Sequence, residues 1–506
     1  MVKDQKKAGV LLSYIMIFAN IGIQLIYTPL MLRLLGQSEY GIYTLSNSII
    51  SYLSLFDLGF SGAYLRFYSQ YKIKKSQDDI ARLNGTFLIL LSALGMIAII
   101  VGCQLSNHID GVMNRSLSAE ELETTRILLR ILSVSLGVTL IANVFESIIL
   151  AHEQYVFLKS LKLVKIVFSP FLAIPMMLMG YGSRAVAIAT LTATAISFAA
   201  DIWYCIKKIK IQVLVGKWDF RLLREIGGFS LFLFLNEIIS QINWNVDKVL
   251  LGYYWGSAAT AVYGVGAQID VVYRSLSSSI SSVFAPKVNR LVAKGNEDKA
   301  LSELFSRIGR IQFIILFPVL IGVWVFGKYF IKIWAGEGYD DAYYIAMLLI
   351  VPVTVPLIQN LGIEIQRAKN KHQFRSIIYF IMAILNIVIS IPLCRLFGGI
   401  GCAAGTAIGL VVANGFIMNW YYHKYLEIDI VQFWREIASF RKGIALPLFT
   451  AIFIKLFVHK WTITAFCGGI IAFLLVYVLS MWLWGINQKE KDVVLSIFAR
   501  LKKQIS

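Results

Sequence analysis

Long apolar stretches follow one another from Ala8 to Trp484, separated by short polar gaps. About 20 apolar residues suffice to cross a bilayer as a helix, so the pattern predicts a series of transmembrane helices. Fourteen are expected, over 8–35, 40–66, 84–105, 124–150, 160–180, 184–206, 228–252, 257–285, 306–327, 342–365, 374–396, 400–423, 443–459 and 463–484. Several exceed the crossing length, which implies tilt or helical extension into the cytoplasm. In lipid every backbone N–H and C=O must be bonded internally. Long helices achieve this, and the chain lacks the alternating segments of a membrane barrel. The expected fold is therefore an all-α polytopic membrane protein. Two gaps, around Lys217 to Ile226 and Ile428 to Phe440, mix Trp218 or Trp434 with basic and apolar residues at helical spacing and read as interfacial helices.

Composition agrees: 58% of the 506 residues are hydrophobic and 15% charged, against about 25% charged in soluble domains. The net charge of +19 raises the question of nucleic acid, and the placement of the cations answers it. Taking Lys3, Lys6 and Lys7 as cytoplasmic, 36 of the 48 basic residues fall at the N-terminus and in alternate gaps, from Arg66–Arg82 through to Lys489–Lys503. The opposite gaps hold only Arg115, Arg184, Lys328, Lys332, Arg395 and Lys460. That asymmetry is the positive-inside rule, and an anionic inner leaflet accounts for the excess without nucleic acid. Both termini are expected in the cytoplasm of a bacterium, the protein sitting in its plasma membrane. The stretch 8–35 is too long for a signal-peptide core and lacks a small-residue cleavage site, so it reads as the first span.

Enzyme signatures are missing from the sequence. The five cysteines, Cys103, Cys205, Cys394, Cys402 and Cys467, lie in or beside apolar spans with no CxxC spacing, and the five histidines are scattered near span ends. No Walker sequence occurs, and no metal or cofactor is expected. A membrane glycan polymerase or ligase would be expected to carry a sizeable outer loop, whereas the longest outer gap is 106–123.

Internal similarity adds organisation. Leu34-Leu35-Gly36 ends span 1 and Tyr43 follows seven residues later, while Leu250-Leu251-Gly252 ends span 7 and Tyr263 follows eleven later. Six spans separate the two copies, and an even number restores the same topology. Two parallel six-helix lobes are the arrangement this predicts. The segment from Leu32 to Tyr71, with a Leu-Gly turn, Tyr40-Gly41-Ile42-Tyr43, and Asp57-Leu58-Gly59 followed by Arg66, resembles the opening of Wzx-type polysaccharide flippases. These belong to the multidrug/oligosaccharidyl-lipid/polysaccharide exporter superfamily. Asn245 to Asp270 is similar to that family's junction between spans 7 and 8. The resemblance implies lobes over 1–206 and 207–424, and a segment 425–506 that adds an interfacial stretch, two further helices and a cytoplasmic tail. It also implies flipping of polyprenyl-pyrophosphate-linked oligosaccharides by alternating access, with a polysaccharide polymerase and glycosyltransferases as companions. The alternative within the superfamily is a cation-coupled multidrug exporter.

A flipped lipid-sugar needs a hydrated path, so polar residues should line one face of several spans. Asn20, Gln24 and Tyr27 share a face of span 1, and Asn47, Ser51, Ser54 and Ser61 one of span 2, with Asp57 on its flank. In span 7, Asn236, Ser240, Asn243 and Asp247 form one stripe and Glu237, Gln241 and Lys248 a neighbouring one. Such stripes serve either as interhelical glue or as cavity lining; the polar density of span 7 favours lining. Asp270 and Arg274 stand at i, i+4 in span 8, either neutralising one another or releasing Arg274 to a pyrophosphate. Arg66 marks the cytoplasmic edge of span 2, as headgroup contact or inner-leaflet anchor. Substrate-binding candidates are thus Arg66, Arg274, Lys248, Asn20, Gln24, Asn236, Gln241 and Asn243. Ion-coupling candidates are Asp57, Glu237, Asp247 and Asp270. Arg130 and Glu146, nearer the ends of span 4, weigh less.

Overall fold

The computed structural model describes residues 2–492 apart from 75, 215–219, 296–297, 372, 459–460 and 489. Trp218, Lys217, Lys460 and Lys489 therefore lie outside the described residues. Among those described there is no strand, and the all-α reading holds. Among the described residues each of the fourteen predicted stretches lies mainly on helix, although neighbours are often joined across a kink. Val2–Leu53 (α1) breaks at Gly36, and its return continues through a 3-10 turn, Ser54–Asp57, into Phe60–Lys74 (α2). Then come Gln77–Met113 (α3), Ala119–Ala151 (α4), Tyr155–Met176 (α5) and Gly182–Tyr204 (α6), followed by the 75-residue Phe220–Lys294 (α7), broken at Gly256. The chain continues through Asp298–Ala335 (α8), Asp341–Ile358 (α9), Leu361–Ala368 (α10) and Gln373–Leu410 (α11), broken at Gly398. Met418–Tyr425 (α12), Ile430–Ala438 (α13), Arg441–Phe457 (α14) and Ile463–Ser480 (α15) complete it. Among the described residues, eight helical segments are long and apolar enough to cross a membrane, or nine if the bent α13–α14 pair forms one span. Because single segments such as Tyr155–Ile209 run through two predicted spans, this is compatible with fourteen crossings. Large apolar side chains such as Phe171 (75% exposed) and Leu178 (69%) face outward, as lipid-facing surfaces require.

The breaks occur where the backbone leaves the region open to L-residues. Gly36 (φ 75°, ψ 175°) and Gly256 (φ 81°, ψ −166°) share one conformation, and Gly182 (φ 55°, ψ −142°) and Gly398 (φ 57°, ψ −132°) share another. Only glycine adopts these angles without strain. The sequence match had placed Gly252 opposite Gly36; the structure corrects this by one helical turn. Gly252 is an ordinary helical residue packed on Leu45, and with Gly256 as the break, Tyr43 and Tyr263 each follow seven residues later. Span 2 differs from expectation as well. Its helix is interrupted between Ser54 and Gly59, where Leu58 (φ 48°) and Gly59 (φ 74°) are left-handed, so the face shared by Asn47 and Ser51 does not run on through the expected span; the Ser61 side chain lies outside what is described.

The molecule forms two compact units, one of residues 1–265 and 379–406, the other of 266–378 and 407–506. In the first, Tyr64, Phe87, Ile148 and Leu83 form one buried core and Ile42, Leu45, Leu128 and Leu129 another. In the second, Val325, Phe326, Ala451 and Phe473 join α8 to α14 and α15. Arg310 fixes that join. It donates to both oxygens of Glu490 (2.7 and 2.9 Å), to the Glu436 carbonyl (2.8 Å) and to Ser439 (2.7 Å), and its guanidinium stacks on Phe440. Helix α13 is the expected amphipathic segment, burying Ile430, Phe433 and Ile437 while Trp434 stays exposed.

Candidate functional site: a buried carboxylate between two kinked hairpins

Asp247 stands nine residues before the Gly256 break and Tyr263 seven after it, so the bend of α7 brings the two face to face. Tyr263 Oη donates to Asp247 Oδ2 at 2.5 Å. A second hairpin supplies the rest. The bend of α11 at Gly398 folds its two arms together. Gly401 and Gly405, a small-xxx-small pair, allow a close approach: a Cβ on Gly405 would stand 2.3 Å from Ser390 Oγ, and one on Gly401 2.0 Å from the Leu393 carbonyl. That approach delivers Thr406, whose Oγ1 donates to Asp247 Oδ2 at 2.8 Å. Asn386 Nδ2 donates to Thr406 Oγ1 (3.2 Å), and Ser390 Oγ donates to Asn386 Oδ1 (2.9 Å). Asp247 is only 2% exposed. One of its oxygens is held by two hydroxyls, while the other, Oδ1, is buried with no hydrogen-bond partner. Buried polar atoms are nearly always satisfied, and an open carboxylate oxygen inside an apolar span has the chemistry to accept a proton or a cation.

The other sequence candidates fall into separate groups. Glu237, Gln241 and Asn245 form a ladder along α7, Gln241 donating to Glu237 (2.7 Å) and Asn245 to Gln241 (2.7 Å), and Gln241 also reaches Ser54 of span 2 at 3.2 Å. Span 7 thus both glues and presents a polar edge, since Glu237 and Asn236 are exposed. Asn243 and Lys248 are half-buried on the same helix. Gln24 donates to Asn20 at 3.1 Å. Ser51 and Ser54 bond back onto their own helix, at 2.7 Å to Asn47 O and 2.6 Å to Ser51 O. Asp57 closes the 3-10 turn, and Arg66 is exposed on α2. Asp270 and Arg274 belong to the second unit and form the expected pair, Nε to Oδ2 at 2.8 Å, with Asp270 buried and Arg274 a quarter exposed. Arg130 donates to Asn107 at 2.8 Å.

At the ends bearing Gly36 and Gly256, the Glu121 carboxylate accepts from Ser38 and from Ser257, both at 2.5 Å. The Ser257 carbonyl lies where a Cβ on Gly41 would be, at 1.9 Å. The two hairpins are thereby tied together there. Sequence reading missed Glu121, Asn386, Ser390 and Thr406. For Asn386 and Ser390 the signal was a polar pair at i, i+4 inside an otherwise apolar span; nothing in the sequence pointed to Thr406.

This is the fold of a membrane transporter. It superposes on the structure of the lipid II flippase MurJ in an inward closed conformation with a TM-score of 0.76, at 17% identity, covering 96% of this chain and all of that one. It superposes on an inward-facing multidrug resistance transporter of the MATE family with a TM-score of 0.65, at 14% identity over 83% of this chain and 99% of that one. In sequence it is 19% identical over 401 residues to a Shigella flexneri protein named as an O-antigen transporter, covering 78% of this chain and 92% of that one. The chain belongs to the polysaccharide biosynthesis protein family, whose model matches residues 30–344; the expected kinship with Wzx-type flippases holds, and the kin are transporters rather than enzymes.

Proposed function

We propose that this protein flips a polyprenyl-pyrophosphate-linked oligosaccharide from the cytoplasmic to the outer leaflet of a bacterial plasma membrane, by alternating access, for cell-surface polysaccharide assembly. The observation that carries the reading is family membership across residues 30–344 on an all-helical membrane fold. The Shigella relative is named as an O-antigen transporter, and O-antigen is a cell-surface polysaccharide. The lobes are residues 1–206 and 207–424, with 425–506 as an added segment; the matched glycine breaks support a repeat of the first lobe in the second. The ladder from Glu237 to Asn245 lines the path, with Asn20, Gln24, Asn236, Asn243 and Lys248 as further lining. Arg66 meets the pyrophosphate at the cytoplasmic edge, and Arg274 exchanges Asp270 for it further in. Asp247 binds the coupling ion. Export of the anionic headgroup itself gains about 2.3 kcal/mol per charge per 100 mV of inside-negative potential, so the ion adds to that drive.

A second reading, a cation-coupled multidrug exporter, is favoured by the likeness to the MATE transporter. Deletion of the gene decides between them. Accumulation of an unflipped lipid-linked glycan, identified by mass, supports the flippase; drug sensitivity without such accumulation supports the exporter. Orientation is tested by single cysteines in a cysteine-free background. Ser76 and Ser118 are unsuitable positions because both cap helices through capping boxes, so their exposed neighbours Gln77 and Asn114 serve instead. Gln77→Cys is expected to resist an impermeant thiol reagent in intact cells and Asn114→Cys to react; the reverse result inverts the topology.

A further inference from the structure

Helices α4, α5 and α6 carry an ionic cluster that the reading above leaves unused. Glu146 lies near the end of α4, Asp201 near the end of α6, and Lys159, Lys162 and Lys165 occupy successive turns at the start of α5. Lys162 Nζ closes on Glu146 Oε2 at 2.6 Å, both side chains being partly exposed. Asp201 is different. It is 1% exposed, and its Oδ1 is buried with no hydrogen-bond partner. Among the described residues, the charged groups acting on Asp201 are Glu146 from α4 and Lys162 and Lys165 from α5, with Cys205 one turn further along its own helix. Helix α1 also packs on α6; among the described residues it adds no group to the charged ones acting on Asp201.

An ionised carboxylate sealed from water with an oxygen unbonded is heavily penalised, and the neutral acid is not. Two things relieve it: a proton or an ammonium group. Lys162 is occupied by Glu146, and among the described residues Lys165 forms no ion pair with Asp201, so in this arrangement the proton is the remaining choice. We propose that Asp201, with Glu146, Lys162 and Lys165, is a proton-binding site of the first six helices, separate from the Asp247 site. Asp201 holds the proton while Lys162 rests on Glu146. When a lysine of α5 swings from the α4 carboxylate to that of α6, Asp201 releases its proton to water and Glu146, already partly exposed, is solvated. The exchange changes which neighbour α5 is strapped to, so proton occupancy biases the packing of these three helices.

The test is infrared difference spectroscopy of the purified full-length protein in nanodiscs, in an Asp247→Asn background so that this carboxylate contributes nothing; Asp270, also buried, is ion-paired with Arg274. At neutral pH a protonated-carboxyl carbonyl band is expected, and Asp201→Asn should abolish it. Glu146→Gln should abolish it too, by freeing Lys162 to pair with Asp201. Adding Lys162→Met and Lys165→Met to Glu146→Gln should bring it back. A band that Asp201→Asn leaves unchanged, or one undiminished by Glu146→Gln, overturns the proposal. If Asp201→Asn fails to fold, the Glu146→Gln and triple variants read the same band. No substrate is needed, so the outcome is independent of what the protein transports.

Discussion

The two pairs of kinked hairpins are built alike and hold different chemistry. Tyr27, Tyr43 and Thr190 stand to Gly36 and Gly182 as Asp247, Tyr263 and Thr406 stand to Gly256 and Gly398: nine residues before the first break, seven after it, and eight after the second. In the earlier pair Tyr43 hydrogen-bonds Thr190 and Asn47, and the Tyr27 hydroxyl is buried without a partner. In the later pair the same tyrosine and threonine positions converge on a carboxylate. The packing differs to match. Ala185 and Ala189 stand where Gly401 and Gly405 do, and in the later hairpin the missing Cβ atoms let Ser390 and Asn386 come in behind Thr406. One difference, aspartate in place of tyrosine, puts a carboxylate where the earlier pair has a neutral hydroxyl, and two hydroxyl donors and the closely approaching helix surround it.

The strongest way to break the comparison is Asp247→Asn, which keeps shape and removes charge. Ion-dependent flipping in proteoliposomes should fall by roughly 100-fold, the loss typical of damaging a metal-binding shell; unchanged ion dependence would remove Asp247 from the mechanism. Next comes Gly405→Val, whose side chain would meet Ser390 and spread the hairpin. Overpacking of this kind costs about 1–3 kcal/mol, read as a lowered unfolding temperature, and ion dependence should weaken with it. Gly405→Ala, which makes this hairpin resemble the earlier one, should do less in the same direction. Tyr263→Phe and Thr406→Val each remove one donor to Oδ2. At about 1 kcal/mol per hydrogen bond, each should shift apparent ion affinity by roughly fivefold, measured by flipping against ion concentration. Smallest of all, Tyr27→Phe deletes a hydroxyl with no partner and should leave stability within about 0.5 kcal/mol and flipping unaltered. A large loss there would mean the earlier hairpins also hold a ligand.

Some of this was legible from residue order. Asp247 was legible as one of four candidate carboxylates inside apolar spans, where a charge is costly, and Asp270 with Arg274 because i, i+4 spacing pairs them on any helix. The repeat was legible too, but in the wrong register. Matching Leu-Leu-Gly rewarded apolar identity, whereas the bend is fixed by which glycine takes a positive φ, and that is Gly256. Glu146 seemed a lesser candidate because it lies near a helix end; its weight comes from Lys162 and Asp201, which reach it from other helices.

The sequence by itself determined that this is a chain of membrane helices, since continuous apolar stretches leave the backbone no other way to satisfy its hydrogen bonds in lipid. It also determined that glycines would punctuate those helices, and that charged residues inside them would be few. Which of Asp57, Glu237, Asp247 and Asp270 became an enclosed site was decided only in three dimensions. Enclosure depends on donors that arrive from helices more than a hundred residues away, as Thr406 does, and on how closely Gly401 and Gly405 let those helices approach. Neither distance has a period along the chain, so no linear pattern records it.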